Sequence, residues 1–138
     1  MKILGLDLGK KTLGVALSDA LGLTAQGIET FHFPENNYKL ALNRVKEIVE
    51  KEKVNTIVLG YPKNMNGTVG ERGKLSEEFA NKLKSQLPCN VILWDERLSS
   101  LEAERILISA DISREKRKKI IDKMAAVVIL QSYLNSLK

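Results

Sequence analysis

Three stretches of the sequence carry acidic side chains of the kind that bind divalent cations. Asp7 lies in the otherwise apolar run ILGLDLG, where an ionised carboxylate is costly unless a partner neutralises it. Asp95 and Glu96 follow a second apolar run in NVILWDERLSS, and Asp122 lies in KKIIDKMAAVVIL. Carboxylates brought together raise one another's pKa values, so a cluster of three is stable only when cations neutralise it. The three stretches together therefore predict a metal site.

The residue types also indicate which metal and which reaction. The chain has one cysteine and one histidine, so a cluster of acids supplies oxygen ligands only. Such ligands favour Mg²⁺ or Mn²⁺ over zinc. Two of these ions about 4 Å apart can clamp a phosphodiester, one activating water and the other stabilising the leaving oxygen. We therefore predict metal-assisted hydrolysis of a phosphodiester.

Two of the acidic stretches also have a purely structural interpretation. The acidic pair before Arg97 could form only an ion pair with that residue. Asp122 could pair with Lys118 one turn earlier on a helix surface. The occurrence of all three stretches in one chain favours the metal site.

A sheet must position these acids. Alternating and apolar runs predict five strands, which are residues 3–8, TLGVALSD, a segment of LTAQGIETFHF, VNTIVLG, and a run beginning at Val91. The tight turn GKK joins the first two strands into a hairpin. In the first strand Ile3, Gly5 and Asp7 share one face, and we expect Gly5 and Gly9 to leave open space beside the acid.

Helical spacing of apolar residues predicts four helices. The first begins near Tyr38, and the second runs from about Lys74 to Leu87. Ser99 or Ser100 is the predicted N-cap of the third, in SSLEAERILIS. One long helix, from about Glu115 to Leu137, is predicted to end the chain.

Acids at the carboxyl ends of parallel strands lie where open α/β sheets bind ligands.

Length and composition predict a single domain over residues 1–138. The 22 basic against 17 acidic residues give a net charge of +5, which is compatible with a polyanionic partner. No segment is long and apolar enough to span a membrane, and no secretory pattern opens the chain. The lone Cys89 cannot form an internal disulfide, which favours a reducing, cytoplasmic setting. The basic block REKRKK, from Arg114 to Lys119, is either a solvated helix start or a phosphate contact.

Four ordered segments resemble the YqgF family across essentially the whole chain. They are GLDLGKKTLGVALSD, GYPKNMNGTVGERG, WDERLSSLEAE and IDKMAAVVILQSYL. The resemblance implies a ribonuclease-H-like α/β fold, in which helices flank a five-stranded mixed sheet whose first three strands are antiparallel. It also implies a nuclease, dependent on Mg²⁺ or Mn²⁺, that matures the 5′ end of the small-subunit (16S) ribosomal RNA precursor.

The resemblance assigns roles to the acids. Asp7 matches the first-strand metal ligand of the family, Glu96 of the Asp-Glu-Arg triplet is the choice for the second, and Asp122 is the third. Asp95 stays open as the alternative to Glu96. Asn66 stands where an aspartate is commoner in the family, and either residue makes the turn.

Four cations near these acids are candidates for binding nucleic acid. Lys10, Lys11 and Arg72 lie in predicted loops near the site and could contact the phosphate backbone, although each could equally be a solvated loop charge. Arg97 could contact a phosphate or hold the acidic pair in place.

Several other functions compete with precursor RNA processing. A Holliday-junction resolvase on branched DNA would act as a homodimer that cuts two strands, so the oligomeric state, monomer or homodimer, stays open. A phosphotransferase of the actin or sugar-kinase type would need two lobes. A non-catalytic RNA- or ribosome-binding module would gain nothing from clustered carboxylates.

Overall fold

A mixed five-stranded sheet forms the centre of the protein. The computed structural model describes residues 2–138, and the side chain of Asp122 lies outside its described part. The strands are β1 (Lys2–Leu8), β2 (Thr12–Ser18), β3 (Ala25–His32), β4 (Val54–Tyr61) and β5 (Asn90–Asp95). They lie in the order β3-β2-β1-β4-β5. The first three strands pair antiparallel, while β4 and β5 run parallel to β1, so the predicted sheet is confirmed.

Five helices surround the sheet. They are α1 (Tyr38–Glu52), α2 (Glu71–Gln86), α3 (Glu96–Ser109), α4 (Arg114–Lys123) and α5 (Ala125–Ser136). The single long helix predicted at the end of the chain is wrong, because Met124, with φ −110° and ψ 24°, separates α4 from α5. The polar α4 has no fully buried side chain among those described, whereas the apolar α5 packs on the sheet. Helix α4 lies at the surface and α5 packs on the sheet, so one straight helix could not place both segments. No helix among the described residues is long and apolar enough to cross a membrane.

The two faces of the sheet bury two different clusters. Leu4, Leu6 and Leu8 of β1 pack with the apolar sides of α1 and α2 in the larger cluster. The opposite face packs against α5, whose Ala126 and Leu130 belong to the smaller cluster. The strand alternation that assigned Asp7 to the second face is therefore confirmed.

Gly5 allows α5 to lie directly on the sheet. A Cβ atom on Gly5 would stand 2.6 Å from Leu130 Cβ and 3.1 Å from the carbonyl oxygen of Ala126. The expectation that Gly5 leaves open space beside Asp7 is wrong, because α5 fills that space. The same close packing brings α5 up to the acidic edge of the sheet.

Two helices begin earlier than the sequence predicts. Helix α3 begins at Glu96, and its N-cap is Asp95, whose side chain accepts a hydrogen bond from the backbone N–H of Arg97 at 3.0 Å. The predicted caps, Ser99 and Ser100, lie inside the helix instead. Helix α2 begins at Glu71, three residues before the predicted start near Lys74.

Candidate active site

Two of the predicted acids meet at one edge of the sheet. Asp7 is the next-to-last residue of β1, and Glu96 directly follows β5. Because β1, β4 and β5 are parallel, their carboxyl ends lie at the same edge. Strand β4 lies between the two acid-bearing strands and contributes Gly60 to the space between them.

The side chains of Asp7 and Glu96 lie close enough together for a proton shared between them to form a hydrogen bond. The pKa of Glu96 is raised to about 7, first by burial and then by the negative charge of Asp7, against the attraction of Arg72. A proton bound near neutral pH removes the repulsion between the two carboxylates. A cation bound by both carboxylates would remove the same repulsion. This pair of oxygen donors therefore fits a hard divalent cation.

Glycines keep the space around the pair narrow but open. A Cβ on Gly60 would lie 3.1 Å from Glu96 Oε1 and 2.6 Å from Ile129 Cδ1, so any side chain there would push against the carboxylate. Gly14 faces Asp7 across the hairpin, and a Cβ there would lie 3.6 Å from Asp7 Cβ. Sequence reasoning missed both glycines, although Gly60 ends a recognisable buried run.

Asp95, the alternative ligand, is engaged elsewhere. Its carboxylate caps α3 and forms a forked ion pair with Arg97, whose Nη2 donates to Oδ2 at 2.7 Å and whose Nε lies 3.1 Å from both oxygens. The hydrogen bonds from Arg97 hold the pKa of Asp95 below its usual value. Of the two neighbouring acids, Glu96 is thus the one that contacts Asp7. The ion-pair interpretation applies to Asp95 alone.

The third predicted acid, Asp122, belongs to α4, and its side chain lies outside the described part of the structure. Each of its two chain neighbours lines a cavity that one of the paired acids also lines. Ile121 lines a groove together with Glu96, and Lys123 lines a depression together with Asp7. Among the described side chains, no three acidic, histidine or cysteine groups form a possible metal cluster.

The predicted cations lie around this edge. Lys10 and Lys11 are exposed in the turn between β1 and β2, and their carbonyl oxygens accept hydrogen bonds from Asn36 and Phe33. Arg72 is exposed at the start of α2, and its charge acts on Glu96. Arg97, in contrast, is held by Asp95.

The loop between β4 and α2 forms one side of the site. Asn64 and Thr68 close it through a backbone hydrogen bond of 2.9 Å and a side-chain bond of 2.9 Å. The side chain of Asn66 accepts a hydrogen bond from the backbone N–H of Thr68 at 3.1 Å, so asparagine makes the turn as expected. Gly67 has a φ of 86°, which favours glycine. This closed loop holds its tip residue, Met65, beside the site.

The single tryptophan and the single histidine lie away from the acidic pair. Trp94 is half-buried against the smaller cluster and donates a hydrogen bond from Nε1 to Ser132 Oγ at 3.1 Å, so packing within the protein holds its ring. His32 is exposed at the end of β3. The described part of the structure gives neither residue a place between the acids.

The chain is similar to known proteins both in sequence and in fold. A family model, RuvX, described as Holliday junction resolvase, matches residues 1–136. A protein of Geobacillus sp. (strain WCH70) named "Putative pre-16S rRNA nuclease" is 62% identical over 136 residues, covering 99% of each chain. A protein of Bacillus subtilis (strain 168) with the same name is 59% identical over 137 residues, again covering 99% of each.

Solved structures show the fold at low sequence identity. Thermus thermophilus RuvC in complex with Holliday junction substrate superposes with a TM-score of 0.65 and 10% identity, covering 99% of this chain and 94% of that one. A ROK hexokinase from Thermus thermophilus gives a TM-score of 0.50 at 20% identity, but this chain covers only 38% of it. The ribonuclease-H-like fold is thereby confirmed. The chain belongs to the YqgF family, as the family model over residues 1–136, the full-length relatives and the four ordered sequence segments together establish.

Proposed function

We propose that this protein is a cytoplasmic, single-domain nuclease that hydrolyses phosphodiester bonds with the help of Mg²⁺ or Mn²⁺. Its proposed substrate is the precursor of the small-subunit ribosomal RNA, which it shortens at the 5′ end. The observation that carries the proposal is the contact between Asp7 and Glu96 at the carboxyl edge of the sheet. The names of the full-length relatives support the choice of RNA.

In this proposal Asp7, Glu96 and Asp122 hold the cation. A bound divalent ion would activate a water molecule and stabilise the leaving oxygen. The protein's own contribution is to fix the acids on rigid elements. Asp7 lies within a central strand, and Glu96 is in the first turn of α3, whose start is set by the Asp95 cap. Gly60 has no side chain, so the space beside Glu96 stays open for the reacting groups.

The proposed partner is a nucleic acid strand, and cations at the site would contact its phosphates. Lys10 and Lys11 are exposed in the turn between β1 and β2. Arg72 is exposed in the first turn of α2, not in the predicted loop. Arg97 has a side-chain exposure of 35%, so one face of its guanidinium can reach a phosphate while Asp95 holds the other. Such contacts position a strand but carry no information about its sequence.

A Holliday-junction resolvase is the second candidate. The description of the matching family model favours it. A junction has two strands to cut, so this function would need a homodimer with two sites. The nuclease name of the full-length relatives disfavours a phosphotransferase.

The test is a cleavage assay on both substrates. Purified protein and its Asp7→Asn variant are incubated with labelled precursor RNA and with a four-way DNA junction, each with Mg²⁺, with Mn²⁺ and with chelator. We expect metal-dependent cutting of the RNA that Asp7→Asn abolishes. Asp111→Asn is the matched control, because Asp111 is exposed in a turn with a φ of 58°, a conformation that asparagine also adopts.

The two substrates separate the candidate functions. Cutting of the junction alone would replace RNA processing by the resolvase. Binding without cutting, equal in wild type and Asp7→Asn, would contradict catalysis and leave a binding module.

A further inference from the structure

A groove of about 950 Å³ opens beside Glu96. Three segments form it: the loop after β4, the first half of α3, and α4. Glu96 is part of its lining, so a ligand in the groove would reach the acidic pair. Its volume is in the range of pockets that bind small organic molecules.

The wall of this groove is apolar and exposed. Met65 has 92% of its surface exposed, Leu98 53% and Leu101 58%. Pro62 and Ile121 complete the apolar lining. Exposed apolar side chains gathered in one concave surface mark a binding site more often than single exposed ones do.

The rim of the groove is basic. Lys63, Arg114 and Lys118 line it, the last two from the basic block that opens α4. Two of the acids in the lining are neutralised by ion pairs, Asp95 with Arg97 and Glu104 with Arg117.

Apart from Glu96, this leaves Glu115 as the acid of the lining for which the described part of the structure records no ion pair. The three rim cations outnumber it, so the rim favours an anionic ligand.

We propose that this groove binds an unpaired nucleotide of the substrate strand, with its base against Leu98 and Leu101 and its phosphates on the rim cations. The adjoining phosphodiester would then lie at the Asp7–Glu96 pair. This inference rests on the proposed nuclease function and adds to it the class of substrate, a strand that is unpaired at the cleavage site.

The chemistry of the groove matches a nucleotide better than a protein segment. A base offers a flat apolar surface, and apolar side chains hold bases that have left a duplex. A phosphodiester offers the negative charge that the rim attracts. A base inside a duplex stays stacked on its neighbours and cannot enter the groove. An apolar peptide would cover the wall but leave the rim cations without an anion.

Binding without cutting tests the proposal. In chelator, fluorescence anisotropy compares a labelled RNA strand carrying an unpaired stretch with the same strand fully paired to its complement. We expect Leu101→Gln to weaken binding of the unpaired strand about tenfold, near the low end of what removal of an aromatic side chain stacked on a base costs. Ile106→Gln is the matched control, because Ile106 is 62% exposed on the same helix but does not line the groove.

A second pair of variants tests the rim. Lys118→Glu should weaken binding and reduce its salt dependence, while Lys82→Glu, exposed on α2 and outside the groove, should change both less. A 2-aminopurine placed at the unpaired position should change its fluorescence on binding to wild type and not to Leu101→Gln. All these side chains are exposed, so the variants should fold.

Three results would overturn the inference. One is equal binding of unpaired and paired strands, and another is equal binding by Leu101→Gln and Ile106→Gln. The third is a change of oligomeric state in Leu101→Gln with RNA binding unchanged, which would assign the groove to a second copy of the chain. If cutting is lost in Asp7→Asn while the groove variants bind normally, the nuclease function stands and only the groove assignment fails.

Discussion

Replacing Glu96 by glutamine should stabilise the metal-free protein at alkaline pH while abolishing cleavage. The pKa of Glu96 is raised from its ordinary value of 4.5 to about 7 by burial and by Asp7. The folded protein therefore binds a proton that the unfolded chain has already released between these pH values. Linkage then requires that wild-type stability be greatest below pH 4.5, as far as this group is concerned, and fall as the pH rises to about 7.

The size of the effect follows from the same pKa difference. The interval from 4.5 to about 7 corresponds to about 3 kcal/mol of unfolding free energy above pH 7. Glutamine mimics the protonated acid, since its amide can still donate a hydrogen bond to Asp7. We therefore expect Glu96→Gln to exceed wild type by about 1–3 kcal/mol at pH 8 and to match it at pH 4.5.

The assay is chemical denaturation in chelator at several pH values between 4.5 and 8. Glu78→Gln is the control, because Glu78 is exposed on α2. Magnesium added at pH 8 should then stabilise wild type and the control but not Glu96→Gln. Unfolding free energies that change with pH in the same way in wild type and Glu96→Gln would refute the reasoning. They would show that Asp7 and Glu96 do not repel each other in the folded protein.

Three further predictions concern Gly60, Gly5 and Asp95. Gly60→Ala should abolish cutting, because its Cβ would stand 3.1 Å from the Glu96 carboxylate, whereas Gly70→Ala, with its nearest contacts at 3.8 Å, should cut normally; equal activity in a cleavage assay would contradict this. Gly5→Ala should lower the unfolding free energy by about 1–3 kcal/mol in urea, because α5 has no room for the extra methyl group. Asp95→Ala should lose about 1 kcal/mol with the helix cap, while Asp95→Asn should keep the cap and the cutting; loss of cutting in Asp95→Asn would make Asp95 a ligand.

The sheet and one acidic face could be predicted because they depend on local patterns. The apolar run of β1 and the basic turn after it define the hairpin, and alternation assigns Asp7 to one face. The carboxyl-end rule for parallel strands then brings Asp7 and Glu96 to the same edge. Both steps need only strand direction and sequence spacing.

The start of α3 could not be predicted from local patterns, because several residues there can cap a helix. Ser99 followed by Glu102 satisfies the capping-box pattern. However, Asp95 lies earlier, at the strand end, and accepts a hydrogen bond from the N–H of Arg97, so the helix begins there. The choice between Asp95 and Glu96 depends on this cap. Strand alternation alone could not make it.

Features that depend on packing between distant segments left no local signal. The break at Met124 lies inside a continuous helical pattern and arises where α5 turns to lie on the sheet. The role of Gly5 depends on Leu130, and that of Gly60 on Ile129 and Glu96. The groove beside Glu96 is likewise invisible in sequence, because three separate segments form it.

Binding of Mn²⁺, followed by electron paramagnetic resonance, tests the central claim that Asp7 and Glu96 belong to a metal site. Wild type and Asp95→Asn should bind the ion alike. Glu96→Gln and Asp7→Asn should bind it more than about tenfold more weakly, since even the loss of a hydrogen-bond partner of a ligand costs that much. Equal binding by wild type and both of these variants would contradict the claim and assign the paired acids a structural role.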